Sequence, residues 1–359
     1  MSTVFDKTTA DDPATRPAAS GTRADAEARA RADSGEREVP LLDITGLTLR
    51  LPDHAAARPI LDRVDLRVER GETVGLVGES GSGKSVACRT VLGLLPKGAS
   101  TEGSVRVEGT DVLSLGAAGL REVRRNKVAM VFQDPRASVN PMRRIGDFLT
   151  EGLRMRGTSR DQALARAQEL LTEVGIRDPH GALRRFPHQF SGGMLQRVVI
   201  AAALAGDPAL LLADEPTTAL DVTTQAEVVG ILRRLQHRHG TGMLFVTHDL
   251  ELAAAICDRI YVMYAGRIVE SQPVADLFAR PRHPYTAALL ASTPRLEADA
   301  APPQPIPGRP VSLAEAPTGC AFAARCAFAI ARCRTEAPAL VHDGPAAVAC
   351  LRADEGILQ

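Results

Sequence analysis

The sequence predicts an α/β fold built on a parallel sheet, with one helical insertion and a small cysteine-bearing C-terminal module. Three observations carry that expectation. Short apolar strands alternate with helical stretches along most of the chain, residues 141–206 keep only helical periodicity, and composition shifts towards Pro, Ala and Cys from about residue 298. Strands that alternate with helices pair in parallel and carry helices on both faces.

Taken in order, residues 1–38 hold Pro, Gly and mixed charge with almost no large apolar side chains, which predicts a disordered tail. Strands follow at Leu42–Leu51, Ile60–Val68 and Thr73–Val77, where apolar residues alternate or run on unbroken. A glycine-rich turn then opens a helix over Lys84–Leu95, with a short strand pair around Val105–Glu108 and an apolar strand at Lys127–Phe132. In the insertion, Arg160–Val174 places apolar residues three and four apart, the mark of an amphipathic helix. Alternation resumes with a strand at Leu210–Ala213, a helix at Thr223–His239, a strand at Met243–Thr247 and shorter strands to Val269. Ala300–Pro310 is proline-rich and reads as an extended linker. The expected boundaries are a main domain over 39–297 and a module over 298–359, with one copy of each motif and no internal repeat.

Bulk properties exclude several function classes. The 359 residues carry zero formal net charge and only 3% aromatics without Trp, so neither a basic nucleic-acid surface nor a base-stacking platform is expected. No apolar run reaches the roughly 20 residues that span a bilayer, and the N-terminus lacks a signal-peptide pattern. A cytoplasmic protein is therefore expected, with its six cysteines as reduced thiols or metal ligands.

Gly78-Glu79-Ser80-Gly81-Ser82-Gly83-Lys84-Ser85 fits G-x-x-x-x-G-K-[ST] between an apolar strand and a helix. Glycines let the backbone curl so that its N–H groups face phosphate oxygens, and the helix start adds a favourable dipole. Lys84 is expected on the β- and γ-phosphates and the Ser85 hydroxyl on Mg²⁺. Leu210–Ala213 ends in Asp214 and Glu215. Carboxylates at the exit of a buried parallel strand face the ligand crevice, so Asp214 is expected to help hold Mg²⁺ and Glu215 to take a proton from the attacking water.

Phe190-Ser191-Gly192-Gly193-Met194-Leu195-Gln196-Arg197 resembles the signature motif of ABC ATPases. Companion motifs stand in the family's order: Gln133 after a strand, as in the Q-loop; Asp221 in Ala219-Leu220-Asp221, as in the D-loop; His248 after Leu244–Thr247, as the switch histidine. The resemblance spans about residues 41–270. It implies ATP and Mg²⁺ as ligands, with Gln133 joining Ser85 and Asp214 at the metal and His248 near the γ-phosphate. It also implies that Ser191, Gly192 and Gly193 complete the phosphate site of an opposite subunit, so two such chains, identical or merely similar, act head to tail. The family usually stacks adenine on an aromatic residue of the first strands. No aromatic lies between Leu41 and Arg70 here, and Leu51 holds roughly that place, so apolar contact replaces stacking.

Gly78–Ser85, Phe132-Gln133-Asp134-Pro135, Asn140-Pro141 and Ala213–Asp221, and after the core His283-Pro284-Tyr285-Thr286, Gly319-Cys320, Arg325-Cys326 and Cys333, resemble the oligopeptide and dipeptide importer branch, which also includes nickel importers. That implies two membrane permeases, an external substrate-binding protein, a place at the cytoplasmic face of the membrane, and peptide or another small solute as cargo. A soluble, non-transport ABC ATPase is the competing class. Such proteins generally join two cassettes or insert a long coiled coil, and this chain shows neither. Cys320, Cys326, Cys333 and Cys350 are spaced C-x₅-C-x₆-C-x₁₆-C without the tight pair typical of structural zinc. Some members of the branch carry a [4Fe–4S] cluster at such cysteines. A cluster, bare thiols and zinc all stay open on spacing alone.

Overall fold

The computed structural model describes residues 39–52, 59–218, 220–293, 302–313, 315–316 and 318–358. The tail expected over 1–38, Ala219 of the D-loop-like segment and the start of the proline-rich linker lie outside these. The described residues from Pro40 onward form one compact unit. Among the described residues no helix is long and apolar enough to cross a membrane.

The first strands, β1 (Leu42–Arg50) and β2 (Leu61–Val68), pair antiparallel. β3 (Thr73–Val77) follows, then β4 (Ser100–Val107), β5 (Thr110–Asp111) and β6 (Val128–Val131). β7 (Leu210–Asp214), β8 (Gly242–Thr247), β9 (Arg259–Tyr264) and β10 (Arg267–Pro273) complete the cassette, and β11 (Val341–Asp343) and β12 (Ala346–Val348) come from the C-terminal residues. They make two sheets, a four-stranded antiparallel one ordered β2-β1-β4-β5 and an eight-stranded one ordered β11-β12-β10-β9-β3-β8-β7-β6.

In the large sheet β9, β3, β8, β7 and β6 run parallel. β3, β7 and β8 are buried at every position, which is why they read as unbroken apolar runs rather than alternations. Leu76, Leu212, Leu244 and Val246 share a core with β1, β2 and β4. Val77, Ala213 and Phe245 point the other way, into a core shared with the helical insertion.

The sheet departs from the parallel expectation at one end, where β9, β10, β12 and β11 pair antiparallel. Only Ala265 and Gly266 separate β9 from β10, at φ 44° and 74°. Two successive left-handed residues make the tight turn of a hairpin, whereas a parallel connection needs about a dozen residues.

Between β6 and β7 lie the helices Ile145–Met155, Arg160–Glu173, Pro179–Arg184 and Gly192–Leu204. Ser159 and Gln162 form a capping box at the second of these. The helix after β3 ends at Thr90 rather than Leu95, and Gly93 at φ 62° turns the chain away.

Candidate active site

Register decides what meets what. Val77 of β3 pairs with Thr247 of β8, Asp214 of β7 with Val246, and Val131 of β6 with Ala213. Four parallel strands therefore end side by side, delivering Gly78, His248, Glu215 and Gln133 to one edge, the usual crevice of an open α/β sheet.

Asp214 is buried, 1% exposed. Its Oδ1 accepts a 2.7 Å hydrogen bond from the Ser85 hydroxyl, and Arg89 Nη2 lies 3.2 Å from Oδ2. Ser85 and Arg89 are four apart on the helix Lys84–Thr90, so they share a face. Glu215 leaves the strand at φ 49° while its N–H donates to Val246. A non-glycine residue held there costs about 1–3 kcal/mol of strain. Its Oε2 gathers three partners: Thr218 Oγ1 at 2.8 Å, Gln133 Nε2 at 3.2 Å and His248 Nδ1 at 3.4 Å. Sequence reasoning named Gln133 and His248 but missed Thr218 and Arg89. The helical spacing of Arg89 from Ser85 is the signal that could have found it.

The loop itself is a close fit. A Cβ at Gly78 would overlap the Met263 carbonyl of β9, and Gly83 begins the helix at φ 105°, where side chains are strained. Ser80 and Gly81 are exposed at the loop tip. The Ser82 hydroxyl is buried without a partner among the described residues. Lys84 is buried, and its ammonium donates to the carbonyls of Gly78 at 2.7 Å and Glu79 at 3.0 Å. Burial lowers its pKa, against the pull of the Glu215, Asp214 and Glu79 carboxylates. Glu79 turns its carboxylate towards Arg325, whose place in the C-terminal motif gave no hint of this pairing.

Ser191, Gly192, Gly193 and Asp221 form a second patch. Ser191 Oγ accepts from Met194 N–H at the start of Gly192–Leu204, and Asp221 caps Val222–His239 through Thr224. A Cβ on Gly193 would overlap the Thr224 methyl, so the two helix starts touch. Among the described residues neither start hydrogen-bonds to the Gly78–Ser85 loop.

Cys320, Cys326, Cys333 and Cys350 line one small cavity of about 20 Å³ together with His283 and Phe322. That is room for roughly one water. Burial pushes the Cys320 thiol up to about 11 and raises Cys326 and Cys350. Among the described residues no three His, Cys, Asp or Glu side chains stand close enough to share a metal ion. The thiols thus share a cavity without forming a closed ligand set, and the iron–sulfur expectation has no support in the geometry.

The family model described as "ABC transporter" matches residues 61–218, and the one for the "Oligopeptide/dipeptide transporter, C-terminal region" matches 269–333. The chain is 48% identical to a putative peptide import ATP-binding protein of Brucella melitensis, covering 84% of this chain and 93% of that protein. It is 46% identical to a probable peptide ABC transporter ATP-binding protein of Sinorhizobium fredii, covering 90% and 98%. The oligopeptide transport ATP-binding protein OppD of Mycobacterium tuberculosis is 46% identical, over 84% of this chain and 50% of its own length. Among solved structures, the dimeric bacterial ABC transporter cassette MJ0796 aligns with a TM-score of 0.58 at 28% identity, over 65% of this chain and 98% of its own. With the strand-end constellation and the signature helix on one α/β scaffold, the chain belongs to the ATP-binding subunits of ABC transporters, the ATPases of those machines.

Proposed function

We propose that this chain binds and hydrolyses ATP at the edge formed by Gly78–Ser85, Asp214, Glu215, Gln133 and His248, and so powers the import of peptides. The observation that carries the proposal is the crowding of three partners on one oxygen of Glu215. Thr218, Gln133 and His248 all engage Oε2, while Oε1 has no partner among the described residues and is left to take a proton from water. Ser85 and Asp214 supply only oxygen donors, which fits Mg²⁺, with Gln133 within reach of the same edge. The bound metal would neutralise phosphate charge. Lys84, parked on two backbone carbonyls, exchanges those acceptors for phosphate oxygens. The loop amides from Gly78 to Lys84, other than those of Glu79 and Ser82, which bond within the protein, cradle the phosphates, and Leu51 offers the base apolar contact.

Ser191, Gly192, Gly193 and Asp221 stand in a patch of their own, so in this proposal they serve the loop of a second ATPase subunit. Two permeases receive the work, a substrate-binding protein delivers cargo from outside, and the chain sits at the cytoplasmic face of the membrane without crossing it. The names of the peptide-import relatives and the match to the oligopeptide-type C-terminal region support peptide as cargo. The proposed boundaries are 39–297 for the cassette, with its helical insertion at 141–206, and 298–359 for the module.

Glu215→Gln should keep MgATP affinity within about threefold and cut hydrolysis at least 100-fold, within the range for a general base. Hydrolysis at the parental rate in the assembled transporter would remove Glu215 from the role. For the module, the four thiols Cys320, Cys326, Cys333 and Cys350 are donors of the kind a [4Fe–4S] cluster takes, and that donor chemistry alone carries this part of the proposal. Protein purified without oxygen should be brown, with iron and sulfide in about 1:1 ratio. Colourless protein with stoichiometric zinc, or with no metal, would replace the cluster by zinc or bare thiols.

A further inference from the structure

We infer that Arg325 is a positioning residue for ATP binding, locking the C-terminal module onto the phosphate-binding loop through Glu79. The inference rests on reading Gly78–Ser85 as that loop. Glu79, its second residue, is held at three points. Arg325 Nη1 donates to Oε2 at 2.6 Å and Nη2 to Oε1 at 3.0 Å, a two-pronged pairing that fixes orientation as well as distance. The Glu79 N–H donates to Tyr285 Oη at 2.9 Å. The Glu79 carbonyl accepts from Lys84 Nζ, so the side chain that reaches for phosphate rests on the residue that Arg325 holds.

Arg325 is built into its place. Its side chain is 5% exposed, its Nε donates to the Pro307 carbonyl at 2.7 Å, and its guanidinium carbon lies 5.8 Å from the ring centres of both Tyr264 and Phe322. Tyr264, Tyr285 and Phe322 pack on one another with centroids 4.6–5.3 Å apart. These rings come from β9, from the helix Pro284–Ser292 and from the cysteine-bearing segment, so one aromatic cluster ties module to cassette. Desolvating so many groups for one charge pair makes removal of a single partner costly, because the other is left unpaired. Without Arg325 the Glu79 carboxylate would stand uncompensated beside a loop that must accept polyphosphate. Two losses follow, a looser loop and an added repulsion.

The test uses the full chain and MgATP in isothermal titration, with steady-state hydrolysis in the assembled transporter. Arg325→Met should weaken ATP binding at least tenfold and raise KM in proportion, while kcat changes less than threefold. Adding Glu79→Gln to Arg325→Met removes the stranded charge and should recover at least a third of that lost affinity, on a logarithmic scale. No recovery would reduce Arg325 to a merely structural tie and overturn the inference, as would a Kd within twofold of the parent in Arg325→Met. Should Arg325→Met fail to fold, Arg325→Lys takes its place. It keeps the charge but not the fork, is expected to bind ATP three- to tenfold more weakly, and overturns the inference if it binds like the parent. Lys84→Ala separates the two levels of the argument. If it binds ATP like the parent, the reading of the loop itself fails. If it abolishes binding while Arg325→Met does not weaken it, only the role of Arg325 falls.

Discussion

Single residues in this chain are set by what burial does to their charge. His283 starts the helix Pro284–Ser292 and accepts the Tyr285 N–H on Nδ1, so its ring is 1% exposed and already used as a neutral acceptor. Burial lowers its pKa to about 3 from the ordinary 6.5. Between those values the unfolded chain binds a proton that the folded one refuses, so His283 withdraws stability as pH falls from 6.5 towards 3. Across that window the slope approaches about 1.4 kcal/mol per pH unit. His283→Asn keeps a capping side chain but cannot titrate. Melting temperatures recorded from pH 7.5 to 5 should therefore fall less steeply in the variant, and parallel curves would show that this ring does not sense pH. Site residues differed in how legible they were for a related reason. Lys84, Asp214 and Glu215 announce themselves because each sits at a strand exit or in a glycine-rich turn that short-range rules describe. Arg325 lies 246 residues from its partner Glu79, and no local pattern joins the two.

Secondary-structure elements were legible where burial was complete and obscure where it was partial. β3, β7 and β8 are buried on both faces, so hydrophobic runs located them to within a residue. β4, Ser-Thr-Glu-Gly-Ser-Val-Arg-Val, is buried at only its last apolar positions, and the reading found just its end around Val105. Its pairing with β1 over most of its length is a tertiary preference that propensity does not carry. The antiparallel end of the large sheet was written in Tyr264-Ala265-Gly266-Arg267. Alanine at a left-handed position disguised a turn that Asn-Gly would have made plain. The cysteine-bearing residues read as a separate module from composition, yet they lay β12 against β10 and so extend the catalytic sheet.

At the scale of the whole molecule, the parts of an ATPase are present in one chain but arranged as two patches. The loop patch holds Lys84, Ser85, Asp214 and Glu215. The other is the start of Gly192–Leu204, where Ser191 Oγ already serves as the cap and the helix dipole favours an anion beyond it. Among the described residues no phosphate-binding loop is bonded to that helix start, and on the proposed reading a head-to-tail pair of subunits would give each patch what it lacks. MJ0796, a cassette of the same fold, was solved as a dimer. Ser191→Arg tests the arrangement, because an exposed Arg here costs only the cap, about 1 kcal/mol, and leaves the fold intact. ATP titration of the isolated chain should give a Kd within twofold of the parent, since among the described residues Ser191 makes no bond to its own loop. In the assembled transporter the Arg side chain would occupy the space of the partner-bound γ-phosphate, and steady-state hydrolysis should fall at least tenfold. Loss of ATP binding by the isolated chain would place both patches on one nucleotide within a single subunit. Unchanged hydrolysis in the assembly would detach the signature helix from the phosphate site altogether.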